Sequence, residues 1–295
     1  MFEKKGHMGK TISFSSNEDR EMFYKDFNSQ SMVEKIFSSW KFQSFYNINE
    51  IKFKEDIITE LLKKNIVKEK KFNKYDNKLE KLHLCLELSN KSLDESEQNK
   101  ISISFYETSD ILNNRYVEFI KNIISPLFDD SIYYQVVPTF RFHFPNQAGY
   151  NWNDRYHTDV MLGHPPFEFN IWIPFTDVYE SNSMRLASYE DSIELIGQCN
   201  DDFEILAEKA QYDDSFIKKL QDRSKSLKMN YGEFIIFDPR CLHCTQYNDT
   251  KDTRISMDIR IIMKSELKKY SRTYKTTGRK KMPFLPGHYF SNEAV

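Results

Sequence analysis

Two short stretches hold the residues whose types and spacing could do chemistry. His157 and Asp159 form a His-x-Asp pair; far downstream comes His243, followed by Arg254 and Ser256 in an Arg-x-Ser arrangement. Two imidazoles and one carboxylate can occupy one face of a metal ion and leave the opposite positions open, the donor set that non-haem Fe(II) oxygen chemistry uses. Side chains in a strand repeat every two residues, so His157 and Asp159 are expected to project to the same side. The planar fork of Arg254 matches a carboxylate with two hydrogen bonds, and Ser256, facing the same way, can add a third. A His-x-Asp pair alone is weak evidence in a chain with seven His and many Asp. The downstream half gives it meaning.

The elements that must position these groups are mostly strands. Gly232-Glu233-Phe234-Ile235-Ile236-Phe237-Asp238 reads as a turn into a buried strand, and a bend through Pro239 brings up His243. A turn over 248–252 then leads into a strand beginning at Arg254, and a hairpin of that length is expected to place Arg254 and His243 on adjacent strands. Segments 135–144, 167–174, 184–188 and 254–263 also read as β, interrupted by a helix over 192–210. Upstream, 11–14 reads as a short strand and 20–66 as helical. Leu82, Leu84 and Leu86 alternate with polar neighbours as in a strand, and 101–106 reads as another. Between them, 89–100 is a polar linker. An amphipathic helix is expected over 109–124, with Ile111, Leu112, Tyr116, Phe119, Ile120 and Ile123 on one face and Pro126 ending it.

The expected fold class is therefore mainly β with a helical layer, around a double-stranded β-helix (jelly-roll, cupin-like) core. Residues 1–132 form a helical N-terminal layer packed on the core within the same domain. Residues 133–265 form the jelly-roll core, with a helical insert over 190–222. Residues 266–295 form a basic C-terminal tail, read as a solvated segment or, alternatively, a phosphate-binding one.

Several strands alternate in an unusual way. Arg254, Ser256, Asp258 and Arg260 interleave with Ile255, Met257, Ile259 and Ile261; Thr139, Arg141 and His143 with Phe140, Phe142 and Phe144; Asn170 and Trp172 with Phe169, Ile171 and Ile173. Periodicity alone favours a polar face turned to water. A barrel holding a polar ligand in its lumen has the same pattern, and the proposed metal ligands nearby favour that reading.

With these residues in view, the chain resembles the Fe(II)/2-oxoglutarate-dependent dioxygenases, in the branch typified by phytanoyl-CoA hydroxylase. The resemblance rests on His157-x-Asp159, His243 and Arg254-x-Ser256, set in Gly232-Glu233-x-x-x-Phe237-Asp238 and the Phe169-Asn170-Ile171-Trp172-Ile173-Pro174 strand, and covers roughly residues 134–263. From His157 through Gly163-His164-Pro165 to Asn182-Ser183-Met184 it looks closest to hydroxylases of sugars in antibiotic and surface-polysaccharide pathways. The resemblance implies Fe(II) on His157, Asp159 and His243, with 2-oxoglutarate as cosubstrate and O2 as oxidant. It implies that Arg254 and Ser256 bind the far carboxylate of 2-oxoglutarate and that Asn170 contacts it. Retention of Asp159 implies hydroxylation rather than halogenation. The implied activity is hydroxylation of an unactivated C–H bond in a polar small molecule, more narrowly a sugar or sugar-containing one. Arg141, Trp152, His164, Trp172 and Arg260 are the candidate substrate-binding residues; His143 and His164 read as hydrogen-bonding wall residues rather than metal ligands, and Arg141, Arg185 and Arg260 equally as anion-binding groups or as members of structural ion pairs.

The chain's 295 residues can bury a sizeable core, and an aromatic share of 15% suits pleated sheets better than a helical bundle. A net charge of −2 gives no global field to recruit nucleic acid or membrane. No run approaches a membrane span, and the N-terminus lacks the apolar region of a signal peptide, so a cytoplasmic protein is expected. The four Cys show no dense disulfide framework. Cys241-x-x-Cys244 could hold zinc or do redox work, although no second pair accompanies it. Other readings are a non-enzymatic cupin-like ligand-binding barrel and a nucleic-acid surface on the Lys-rich segments 63–74 and 268–281.

Overall fold

Strand pairing around one long segment organises the molecule. The computed structural model describes residues 11–86, 95–147, 155–273, 276–277 and 283–295. Its first part is largely helical: β1 (Ser13–Phe14), α1 (Asn17–Phe27), α2 (Met32–Phe37), β2 (Lys41–Phe45), α3 (Phe53–Lys63), α4 (Glu69–Phe72), α5 (Leu82–Cys85), α6 (Glu95–Ser104) and α7 (Asp110–Phe119). There follow β3 (Ile132–Tyr134), β4 (Thr139–His143), β5 (Phe169–Pro174), β6 (Met184–Ala187), α8 (Tyr189–Gly197), α9 (Phe203–Tyr212) and α10 (Asp214–Arg223). The last part holds β7 (Ser224–Ser226), β8 (Glu233–Phe237), β9 (His243–Thr245), β10 (Arg254–Met263), α11 (Lys264–Thr273) and β11 (Thr276–Thr277).

Strand β10 lies between β5 on one side and β3 and β4 on the other, all antiparallel, and β8 and then β2 extend the sheet beyond β5. A smaller antiparallel sheet runs β7-β6-β9. The period of two divides the large sheet cleanly. Phe140, Phe142, Ile171, Ile173, Phe234, Ile236, Met257 and Ile259 belong to one apolar cluster with Ile57 and Leu61 of α3 and Tyr116 and Phe119 of α7. Each fully buried Phe or Ile there is worth about 1.5–3 kcal/mol. Trp172, Ile235 and Phe237 point the other way and meet Met184, Leu186 and Cys241 of the small-sheet side. A third cluster joins α1, α8, α9 and α10 through Phe23, Phe27, Leu195, Leu206 and Phe216.

Several local expectations are corrected. Segment 82–86 is the short helix α5 rather than a strand: Leu82 and Cys85, three apart, are buried, while Leu84 is 54% exposed. Segment 101–106 lies largely in helix α6; Ile101 and Phe105, four apart, are buried and Ile103 faces out. Alternation over so few residues does not separate a period of two from one of 3.6. The stretch read as helical over 20–66 contains β2, which pairs with β8. Helix α7 buries Leu112, Tyr116 and Phe119 as expected, but Ile111 is 56% exposed and lies off the stripe. Its continuation over Ile120–Ile124 is a π-helical turn, leading to a 3-10 turn over Ser125–Leu127 that contains Pro126.

The single helix expected over 192–210 is broken. Asn200 and Asp201 adopt left-handed backbone conformations after α8, and Asp202 then caps α9 by accepting from the Glu204 and Ile205 amides. Asp213 caps α10 in the same way. The C-terminal segment also differs from a solvated tail. Phe284, Tyr289 and Phe290 are buried, and the main chain of Ser291 and Val295 bonds to Tyr134 and Ile132 of β3. Arg279, Lys280 and Lys281 lie outside the described residues. Among the described residues, no helix is long and apolar enough to cross a membrane.

The bend between β8 and β9 is locked to the N-terminal helices by a buried ion pair. Arg240 donates Nε and Nη2 to the two oxygens of Asp238 at 2.7 Å each, and Nη1 to the Phe27 and Ser29 carbonyls. Ser31 Oγ donates to Asp238 Oδ2 at 2.7 Å. Both charged side chains are almost wholly inaccessible to solvent. We expect Asp238→Ala, which strands the Arg240 charge, to cost about 3–5 kcal/mol of stability, and Asp238→Ala/Arg240→Met to recover most of that loss. Urea unfolding of the two variants beside wild type measures both values; a double variant no more stable than the single one contradicts the expectation.

Candidate metal centre

His157, Asp159 and His243 converge. One donor atom from each lies within 4.8 Å of the other two, and all three residues are buried. The two His meet through their main chains. His157 N donates to the His243 carbonyl at 3.1 Å and His243 N to the His157 carbonyl at 3.0 Å, an isolated antiparallel bridge beside the small sheet. The rings stand with centroids 4.3 Å apart. Asp159 does not continue a strand as the sequence suggests. Its backbone is helical (φ −68°, ψ −31°) and opens a 3-10 turn over Val160–Leu162, with its amide bonded to the Pro239 carbonyl. The carboxylate reaches the imidazoles from this turn.

Arg254 and His243 are not on adjacent strands. Strand β9 pairs with β6 in the small sheet and β10 lies in the large one, so the chain crosses between sheets after Thr245. The crossing is held by Asn248, whose side-chain amide donates to the Asp252 carbonyl at 3.0 Å. His157, His243, Asn170, Trp172 and Arg254 thus line one cleft between the two sheets.

Electrostatics favour metal binding. His157 Nδ1 lies 2.8 Å from the Arg155 carbonyl and His243 Nδ1 lies 3.0 Å from the Cys241 carbonyl. Carbonyls only accept, so each Nδ1 carries the proton and each Nε2 is the nitrogen with the lone pair that a metal would take. Burial, then the neighbouring His243 ring, holds the His157 imidazole well below its ordinary range; burial lowers His243 as well. Both are therefore neutral, as ligands must be. Burial alone would raise the Asp159 carboxyl, but Arg260 and the nearby imidazoles outweigh it and hold it well below the usual range. Arg260 donates to Asp159 Oδ2 from Nη2 at 2.8 Å and from Nε at 3.1 Å. Both contacts fall on one oxygen, leaving Oδ1 to turn toward a metal.

The polar face of β10 points into this cleft, not into water: Arg254, Ser256, Asp258 and Arg260 are all buried. Arg254 Nε and Nη1, Ser256 Oγ and both amide atoms of Asn170 have no hydrogen-bond partner among the described residues. Buried polar atoms are seldom left so, because each unmade bond costs about 1–3 kcal/mol. Burial draws the Arg254 guanidinium down to about 10, with Asp258 opposing that fall and Arg141 adding to it. Its guanidinium carbon lies 6.0 Å from the Trp172 ring centroid, within cation–π reach. Such unpartnered donors suit a bound group that carries a carboxylate.

The other expected site residues divide. Trp172 lines the cleft. Arg141 also lines it, paired with Asp258, which sequence reasoning did not single out although the alternation of β10 places it there. Arg260 meets Asp159, so its guanidinium belongs to the ligand set's support. His164 lies behind the cleft, its Nδ1 2.7 Å from Glu168 Oε2 and its ring packed on Phe284 and Tyr289. The sequence of Glu168 carries no signal of that pairing. Trp152 lies outside the described residues. Arg185 bonds to Ser224 and the Gln221 carbonyl, a structural tie. His143 places Nε2 3.1 Å from the Gln147 carbonyl. The four Cys are free thiols; Cys241 packs among apolar side chains, which pushes its thiol well up, and the cluster able to hold a metal includes no Cys among the described residues.

Comparison with known proteins adds a relative. The chain is 27% identical over 187 residues to the streptomycin biosynthesis protein StrG of Streptomyces griseus, covering 63% of this chain and 72% of that protein. No family model matches. Among solved structures, the non-haem α-ketoglutarate-dependent epimerase SnoN from nogalamycin biosynthesis aligns with 9% identity and a TM-score of 0.44, covering 83% of this chain and 84% of SnoN. The non-haem α-ketoglutarate-dependent carbocyclase SnoK of the same biosynthesis aligns with 9% identity and a TM-score of 0.39, covering 80% and 85%.

Two outcomes follow from this geometry. Wild type is expected to bind one divalent transition-metal ion and gain thermal stability from it, with His243→Ala weakening that binding by roughly a hundredfold or more, about 2.7 kcal/mol. Calorimetric titration of both proteins measures it; equal affinities remove His243 from the ligand set. The second outcome concerns pH. Burial, then the Arg254 charge, lowers His143 to about 3. Such a group stays neutral in the fold but charges in the unfolded chain below about 6.5, so its contribution is complete above that pH and is lost as pH falls toward 3. Between pH 7 and pH 5 the metal-free His143→Gln variant should lose roughly 2 kcal/mol less stability than wild type in urea unfolding.

Proposed function

We propose that this chain is an Fe(II)- and 2-oxoglutarate-dependent oxygenase of the phytanoyl-CoA hydroxylase-like branch, built on a double-stranded β-helix, that hydroxylates an unactivated C–H bond of a polar small molecule. The observation that carries the proposal is the pairing of two features in one cleft: a His, Asp, His cluster within 4.8 Å and buried atoms of Arg254, Ser256 and Asn170 without protein partners. The donor set is that of a facial triad, and the orphaned groups match a cosubstrate with a second carboxylate. When bound, Fe(II) with 2-oxoglutarate and O2 supplies the oxidising power for C–H hydroxylation and leaves succinate and CO2 as coproducts.

Within that proposal the chain's own residues bind and orient. His157 and His243 present Nε2, fixed by the carbonyl bonds at Nδ1, and Asp159 presents Oδ1. Arg254 and Ser256 take the far carboxylate of 2-oxoglutarate, with Asn170 giving it an amide contact. Trp172 closes one wall and keeps water from the Arg254 guanidinium. Arg141 and Asp258 form a neutral pair in the cleft wall, so Asp258 does not repel a dianion. A sugar or sugar-containing substrate is the narrower proposal; the relation to StrG, named for streptomycin biosynthesis, supports it. The buried free thiols accord with a cytoplasmic setting.

The test is succinate formation from 2-oxoglutarate by the Fe(II)-loaded protein across sugars, amino acids and lipids, with product mass reporting oxygen insertion. No turnover of 2-oxoglutarate with any substrate class, despite metal binding, would leave a ligand-binding barrel as the better reading. Arg254→Ala should bind 2-oxoglutarate about a hundredfold more weakly, from the loss of charge-assisted hydrogen bonds worth about 1.5–3 kcal/mol each, with metal affinity retained. Calorimetry on the Mn(II)-loaded proteins decides it; unchanged affinity places the cosubstrate elsewhere.

A further inference from the structure

We infer that Arg260 is a positioning residue that restricts Asp159 to coordination through a single oxygen, and so keeps one metal position open for O2. This rests on the metal reading above. A guanidinium normally meets a carboxylate fork to fork, with one N–H on each oxygen. Here Nε and Nη2 both donate to Oδ2, at 3.1 and 2.8 Å, and none of these bonds reaches Oδ1. The carboxylate is thereby split into one oxygen engaged with the protein and one available to a metal.

The arrangement is built to hold. Arg260 lies in β10 opposite Asn170 of β5, and its carbonyl accepts from the Gln135 amide at 2.8 Å. Both side chains are buried, the Arg260 side chain 9% and the Asp159 side chain 3% exposed, so bulk solvent has little access to the pair. Asp159 itself is fixed in the turn that follows His157, with its amide on the Pro239 carbonyl.

Counting positions gives the consequence. Two imidazoles and one carboxylate oxygen would leave three positions on a six-coordinate ion; 2-oxoglutarate with two donor atoms would take two, and one would remain. Carboxylates bind metals through one oxygen or two. An Asp159 free to chelate would take the last site, and the complex would bind its cosubstrate yet refuse O2. Neutralising a buried carboxylate needs only a nearby cation. Directing both N–H groups to the same oxygen does something further, because it selects which oxygen the metal sees.

The experiment counts metal-bound waters by water-proton relaxation on the Mn(II)-loaded protein, before and after adding 2-oxoglutarate, in wild type, Arg260→Met and Arg260→Lys. Arg260→Met should carry one bound water fewer than wild type in both states while still binding 2-oxoglutarate. Arg260→Lys, which keeps the charge and a donor for Oδ2, should return to the wild-type count. A purely charge-balancing or structural role predicts altered stability with unchanged water counts, and that result overturns the inference. A crystal structure of the wild-type Mn(II)–2-oxoglutarate complex is independent of whether Arg260→Met folds: Asp159 bound through Oδ1 alone with Arg260 on Oδ2 is expected, and both oxygens on the metal overturns the inference. Wild type that binds no Mn(II) would instead defeat the underlying metal reading.

Discussion

The constraint on which the structure turns is that β10 is buried on both faces while carrying charged and hydroxyl groups on one of them. Its apolar side chains face the helices, as an ordinary half-buried strand would have them. Its polar side chains face the small sheet, where water cannot solvate them freely. In a medium of low dielectric, each such group must find a partner in the protein or in something the protein binds.

The polar groups of this face separate by that criterion. Arg260 is matched to Asp159 and Asp258 to Arg141, so two guanidinium–carboxylate pairs close on themselves. Arg254, Ser256 and the amide of Asn170 do not close. The two kinds are interleaved along the strand: Asn170 lies opposite Arg260, and Ser256 opposite Arg141, whose pair with Asp258 is closed. The open groups therefore mark the places along the cleft where a ligand would have to supply the missing partners.

The long strands and the residues gathered in the cleft were readable in the sequence because they share one signal. In β4, β5 and β10 the alternation runs long enough to fix the period, and the unusual residues on the polar phase mark the cleft. Short elements were not readable. Leu82 to Leu86 and Ile101 to Tyr106 satisfy a period of two and a period of 3.6 about equally well, and tertiary packing chose the helix. The sheet crossing between His243 and Arg254 was also hidden, since a turn of that length serves a hairpin or a crossing alike and the partner strand β6 decides between them. Arg260 and Arg141 looked like anion-binding residues by type alone. Their actual partners, Asp159 and Asp258, come from another strand or turn, and no local pattern announces them.

The reciprocal main-chain bonds between His157 and His243 have a consequence of their own. The separation of the two imidazoles is set by peptide groups, which every residue type supplies, and not by the side chains they carry. The frame of the centre would therefore survive replacement of either ring, as a socket survives a change of plug. Replacing a ring at position 157 or 243 therefore changes the donor set while leaving both main-chain bonds available to hold the two positions together.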